Sequence, residues 1–267
     1  MIILRIIFKY IMYFFNFFGY KLNIDRISSN ISNEYIDKNL WQPFLNHKNN
    51  EILNIYNDSI NKSQNGEANN FLKQLRFYSL FNIVENVVRR ENYENFLECG
   101  CWKGHSSYGI AKILKKYSFN KNFYIFDSFE DGLSRKTSED INIKRYIQNE
   151  DEIKNQINYF KSDLNKFQNL MMEFKFIKIH KGWIPDVFKK TEKKKYSFIH
   201  IDLDLYQPTY DTISFFYDQL ILDGVIVCDD YNCSDFPGAK LAIDSFIKNK
   251  KIKFFYEIPL GGCIIIK

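Results

Sequence analysis

Four aspartates stand in two tight clusters, Asp202-Leu203-Asp204 and Asp229-Asp230, and each cluster directly follows a short apolar run. Runs of this kind, here 198–201 and 225–228, are what strands buried on both faces of a parallel sheet look like. In an open α/β sheet, residues just past the carboxyl ends of neighbouring strands face one crevice. The four carboxylates would then converge, and their repulsion raises their pKa values unless a cation neutralises them. A hard divalent ion with oxygen ligands meets that demand. Zinc does not: His105, His180 and His200 are isolated, and Cys99, Cys101, Cys228, Cys233 and Cys263 have no zinc-site spacing.

A second group lies earlier. The stretch ECGCWKGHSS at 98–107 puts Gly100 and Gly104 where a strand at 96–98 turns into a helix. Backbone can approach a ligand closely there. The stretch is neither GxGxxG nor a Walker loop, so alone it fits a ligand loop and a plain turn equally. Asp127 ends the next strand, 122–126, roughly 20 residues beyond Gly104, the spacing at which an acid accepts hydrogen bonds from a ribose diol. A helix N-cap is the alternative for that aspartate. Trp183 follows a strand at 174–179 and reads either as a stacking surface for a nucleobase or as a partly buried core side chain.

Positioning these residues requires strands that alternate with helices, the pattern of an α/β fold with a mainly parallel sheet. Leu72, Leu75, Tyr78, Phe81, Val84, Val87 and Val88 recur at helical spacing and predict a helix over 71–88. A helix is expected at 207–220, with Pro208 in its first turn, then a turn at Asp223-Gly224. Another helix runs from Pro237 to Lys248, and strands at 252–257 and 263–266 form a closing antiparallel hairpin. Between the second and third strands, 134–151 reads as a surface segment and 152–172 as a helix, a lid over the site.

The 267 residues suffice for one large α/β domain with additions, and 45% apolar residues with 18% aromatics exclude global disorder. A net charge of +5 from scattered lysines suits an anionic cofactor, an acidic glycan or a membrane surface, and gives no ground for a nucleic-acid partner. The cysteines read as inert thiols in a reducing, cytoplasmic compartment. The division expected is 1–70 as an N-terminal extension and 71–267 as the catalytic domain. Residues 1–22 are strongly apolar, lack a cleavage site and put Arg5 and Lys9 on one helical face. The apolar run is shorter than the roughly 20 residues of a spanning helix. It reads as an interfacial helix on the inner face of the membrane, or as a helix docked on its own domain or a dimer partner. Residues 23–70 read as a polar linker with short helices.

With these pieces placed, the chain resembles the class I S-adenosylmethionine-dependent methyltransferases, and within them the macrocin O-methyltransferase (TylF-type) family. The resemblance rests on ECGCWKGHSS, FDSFEDGL at 126–133, HKGWIPD at 180–186, IDLDLYQPTYD at 201–211, and GVIVCDDYN with PGAKLAID after it. It implies a Rossmann-like fold: a mostly parallel seven-stranded sheet closed by a C-terminal antiparallel hairpin. It implies S-adenosylmethionine contacts from Glu98, Gly100, Trp102, Ser106, Asp127, Gly182, Trp183 and Asp186, Mg²⁺ ligation by Asp202, Asp229 and Asp230, and Asp204 as general base. The expected reaction is methyl transfer to a hydroxyl of a sugar or glycan acceptor, by a homo-oligomer. The alternative is a metal- and nucleotide-sugar-dependent glycosyltransferase using the DLD triplet. IDLDLY departs from relatives that carry Gly between the acids.

Overall fold

In the computed structural model, residues 51–64, 69–141, 150–233, 235–248, 250–258 and 261–267 are described. The chain divides into two compact units, Met1–Lys48 and Asn49–Lys267. The first, with the expected helix at 1–22 and most of the expected linker, lies outside the described residues, as does the Pro259-Leu260 part of the closing turn.

In the second unit, seven strands form one sheet: β1 (Asn95–Cys99), β2 (Phe123–Asp127), β3 (Ile177–Lys181), β4 (Tyr196–Ile201), β5 (Leu220–Cys228), β6 (Phe254–Glu257) and β7 (Cys263–Ile266), in the order β3-β2-β1-β4-β5-β7-β6. β3, β2, β1, β4 and β5 run parallel to one another, and β7 runs antiparallel between β5 and β6. The continuous apolar runs have a direct cause. Phe96, Phe198, Val225 and Val227 face one buried cluster, while Leu97, Cys99, Ile199, Ile201, Ile226 and Cys228 face the other. Alternation along each strand thus feeds two cores, one per face.

Helices α1 (Glu51–Lys62), α2 (Phe71–Val88) and α3 (His105–Lys116) cover the first face. Asn70 caps α2 by accepting from the Lys73 N–H at 2.9 Å, and seven apolar side chains between Leu75 and Val88 are buried. α1 contributes buried Ile52, Tyr56 and Ile60, so the described end of the expected linker is part of this core. Helices α6 (Tyr206–Phe216) and α7 (Pro237–Ile247) cover the other face.

Three elements differ from expectation. The single helix at 152–172 is two, α4 (Glu150–Tyr159) and α5 (Leu164–Met171), because the Asp163 side chain accepts from the Lys166 N–H and starts a new helix. β3 begins at Ile177, since residues 174–176 turn into it. Asp223-Gly224 lies within β5 at a register shift, where Asp223 N–H donates to Lys267 O and Lys267 N–H to Gly224 O. Among the described residues no helix is long and apolar enough to cross a membrane.

Candidate active site

β4 and β5 are adjacent, with Ile201 paired to Cys228, so Asp202 and Asp229 leave the sheet side by side. The ladder continues past both strand ends: Asp202 N–H donates to Cys99 O and Asp229 N–H to Ile201 O, each at 2.9 Å. One carboxylate oxygen from each of Asp202, Asp229 and Asp230 lies within 4.8 Å of the others. Asp204 stands beside them in the left-handed region, φ 60°, where its backbone N–H donates to Asp230 Oδ2 at 2.8 Å. A non-glycine residue there costs of order 1–3 kcal/mol and persists where the surroundings enforce it.

The electrostatics follow from burial. Asp202 is pushed up to about 6 by burial and then by the Asp229 charge, with His200 and Arg76 pulling it back. Asp204 rises well above the carboxylate range by burial and the charges of Asp202 and Asp229. Asp230 does so by burial and the charges of Asp204, Asp202 and Asp229. Oxygen-only donors, half-buried at Asp202 and buried at Asp229 and Asp230, that crowd like charges together fit a hard divalent cation.

A cavity of 350 Å³ adjoins this cluster and includes Asp202 and Asp204 in its lining. Gly100, Trp102, Asp127, Gly182 and Trp183 also line it, so the structure brings five of the eight expected cofactor residues together with two of the acids. Gly100 has φ 83°, and a Cβ there would lie 1.7 Å from Asp202 O, so the loop after β1 can touch the loop after β4 only through glycine. Asp127 pins this loop: Oδ2 accepts from the N–H groups of Cys101 (2.7 Å) and Trp102 (3.0 Å), and Oδ1 from Phe129 (2.6 Å). Trp102 donates through its indole N–H to Tyr159 O at 3.1 Å, tying the loop to the end of α4. Trp183 is 42% exposed beside the cavity, so its indole is not a core side chain.

The other three lie outside the lining. Glu98 is fully buried in β1, where it accepts from the Ser107 hydroxyl and pairs with His200 Nδ1 at 2.9 Å. The Glu98 carboxylate raises His200 to about 9 against the opposing effect of burial. Ser106 is buried in the first turn of α3. Asp186 is exposed and pairs with Lys189 at 2.6 Å. A wider groove of 1160 Å³ shares Trp102 with the cavity but is lined by none of the four acids.

Other residues reach the site from elements that carried no motif. Arg76 of α2 makes an ion pair with Asp229, Nη1 to Oδ2 3.1 Å, and the Asp229 charge raises its pKa. Lys73, one turn earlier, is close enough for Asp202 to counter part of its desolvation. In the segment after β2, Lys136 donates to Asp235 O at 3.2 Å and lies 4.8 Å from the Phe236 ring centroid, and its charge partly counters the rise at Asp204. Buried Asp140 accepts from the Tyr206 N–H at 2.6 Å and from Thr137 N–H and hydroxyl at 2.9 Å. It thereby pins the segment to the start of α6. Gly238 of α7 makes room for it, since a Cβ would lie 1.8 Å from Asp140 Oδ1. Helical spacing places Arg76 on a helix but cannot say which helix face meets the strand ends.

Residues 46–257 match the model of the family described as Macrocin-O-methyltransferase (TylF). Demethyldecarbamoylnovobiocin O-methyltransferase of Streptomyces niveus is 22% identical over 181 residues, 64% of this chain, and the chain spans 64% of that relative's length. Among solved structures, the O-methyltransferase NovP superposes with a TM-score of 0.53 at 20% identity, covering 71% of this chain and 80% of that one. The calicheamicin methyltransferase CalS11 gives 0.56 at 14%, covering 73% and 79%. The Podospora anserina methyltransferase PaMTH1 gives 0.54 at 11%, covering 90% and 99%. The fold is thus the Rossmann-like methyltransferase fold that the sequence predicts, and the family match replaces the glycosyltransferase reading of the DLD triplet. With residues 46–257, most of its length, matched, the chain belongs to the macrocin O-methyltransferase (TylF) family of S-adenosylmethionine-dependent O-methyltransferases.

Proposed function

We propose that the protein is a divalent-metal-dependent enzyme that methylates a hydroxyl of a sugar or glycosylated small molecule. The observation that carries this is the convergence of Asp202, Asp229 and Asp230 beside Asp204, at the wall of a cavity built from the β1 loop. Sugar-related acceptors are supported by the novobiocin and calicheamicin enzymes among the relatives.

Asp202, Asp229 and Asp230 would hold Mg²⁺, which when bound makes a ligated hydroxyl more acidic and orients it. S-adenosylmethionine supplies a methyl group on a positive sulfur. The chain's own residues do the rest. Gly100 lets the β1 loop lie against the loop after β4, and Asp127 fixes the β1 loop through the Cys101 and Trp102 N–H groups. Asp204 would take the proton of the acceptor hydroxyl as that oxygen accepts the methyl group and S-adenosylhomocysteine leaves. Burial among like charges makes Asp204 a stronger base than an ordinary aspartate. The segment after β2 is tethered at Lys136 and Asp140, and its start, Leu133 and Ser134, lines the cavity.

The test is methyl transfer to a panel of nucleotide sugars and glycan fragments, with metal titration of Asp202→Asn and Asp204→Asn. Exhaustive chelation should abolish wild-type turnover. Asp202→Asn should recover partly with excess Mg²⁺. Asp204→Asn should lose roughly 10²–10⁴ in rate without metal rescue, while still binding cofactor. Full activity of both variants, or turnover that survives chelation, would refute the mechanism.

A further inference from the structure

The acid cluster already has a cation in contact. Arg76 reaches Asp229 Oδ2 at 3.1 Å, and its charge also acts on Asp202 and Asp230. A guanidinium cannot relieve crowding by losing its proton, because it stays protonated across the accessible pH range. Arg76, with His200, Lys73 and Lys136 further off, leaves the acids only partly offset, since Asp202, Asp204 and Asp230 are all still raised, so the pair does not remove the demand for a divalent ion. A divalent ion at the same carboxylates, however, brings two further positive charges close to the guanidinium.

The surroundings let the side chain move while its backbone stays. Neighbouring Leu75 and Phe77 are buried and fix α2. The Arg76 side chain itself is 26% exposed. Among the described residues, a Cβ added at Gly261 would meet only the Arg76 Cδ, at 3.9 Å, so the aliphatic part of the side chain lies beside the hairpin turn without close packing there.

We propose that Arg76 is the site's internal counter-ion, holding Asp229 in place without a divalent ion and yielding that carboxylate when the ion binds. The inference rests on the metal reading above and adds a residue that sets metal affinity. It makes Arg76 a positioning residue with a cost to metal binding. A merely structural arginine would, on removal, weaken the site.

The test is calorimetric titration of full-length wild type, Arg76→Gln and Arg76→Lys with Mg²⁺ alone. Arg76→Gln should bind Mg²⁺ about tenfold more tightly, the scale of repulsion between a single and a double charge a few Å apart under near-aqueous screening. Arg76→Lys, which keeps the charge, should stay near wild type. Thermal melts should show Arg76→Gln less stable than wild type without metal and gaining more from saturating Mg²⁺. In wild type, phenylglyoxal labelling of Arg76, mapped by mass spectrometry, should speed up when Mg²⁺ is added, and this arm decides the matter if Arg76→Gln does not fold. Equal or weaker Mg²⁺ binding by folded Arg76→Gln, or labelling indifferent to Mg²⁺ in a protein that binds it, overturns the inference and leaves the metal reading standing. No Mg²⁺ binding by any of the three overturns both.

Discussion

Asp127 serves three loop N–H groups with two oxygens, so it holds the shape of the cavity wall whatever the cavity contains. Burial raises its pKa, and those same N–H groups work against the rise. Asp127→Ala should weaken binding of S-adenosylhomocysteine by roughly 1.5–3 kcal/mol, read by calorimetry, and unchanged affinity would exclude a part in the cofactor site. At this scale the acids were legible, because a carboxylate just past a buried strand has few places to point. Glu98 was less so: its motif position suggests a ligand contact, yet strand alternation turns it towards the α1–α3 face, against His200 and Ser107. Arg76, Lys136 and Asp140 carried no signal, since their roles depend on which elements meet in space.

Three helices meet at His105. Its ring stacks on Phe77 of α2, with centroids 4.1 Å apart, and meets Tyr56 of α1 edge-on at 4.8 Å. Burial lowers its pKa to about 3, with the Lys73 charge adding to the effect. The sign of the consequence is fixed by linkage. Between about 6.5 and 3 the unfolded chain takes up a proton that the folded one refuses, so folding stability from this group is lost as pH falls. The loss approaches ~1.4 kcal/mol per pH unit below 6.5. The raised aspartates act in the opposite direction, so the group is isolated by difference. His105→Phe should grow more stable relative to wild type as pH drops from 6.5 to 5, measured by urea unfolding, and a pH-independent difference would show that His105 protonates in the fold. The element α2 itself was legible to its ends, because a capping Asn70 precedes a sustained helical pattern. The break at Asp163 was missed, because an aspartate inside a polar amphipathic stretch reads as surface until its side chain is seen to cap.

On the scale of the whole molecule, the compact unit begins at Asn49, whereas composition suggests a start at 71. Polar residues dominate 51–62, and only packing shows that Ile52, Tyr56 and Ile60 belong to the core. Each buried apolar side chain stabilises by ~1.5–3 kcal/mol, and three of them weigh heavily against a net domain stability of ~5–15 kcal/mol. A chain starting at residue 49 should therefore melt cooperatively by circular dichroism, and one starting at 71 should not; equal melts would return the boundary to 71. The sheet order has a consequence for synthesis. β7 closes the edge of β5, and Gly262, just before it, donates to Tyr231 O at 2.7 Å and so ties down the turn that carries Asp229 and Asp230. A ribosome making ~5–20 residues per second leaves the apolar 225–228 edge open for a few seconds after β5 emerges. During that interval the nascent chain offers a sticky strand to its neighbours on the polysome, and the turn carrying the two acids lacks the tie that Gly262 later supplies.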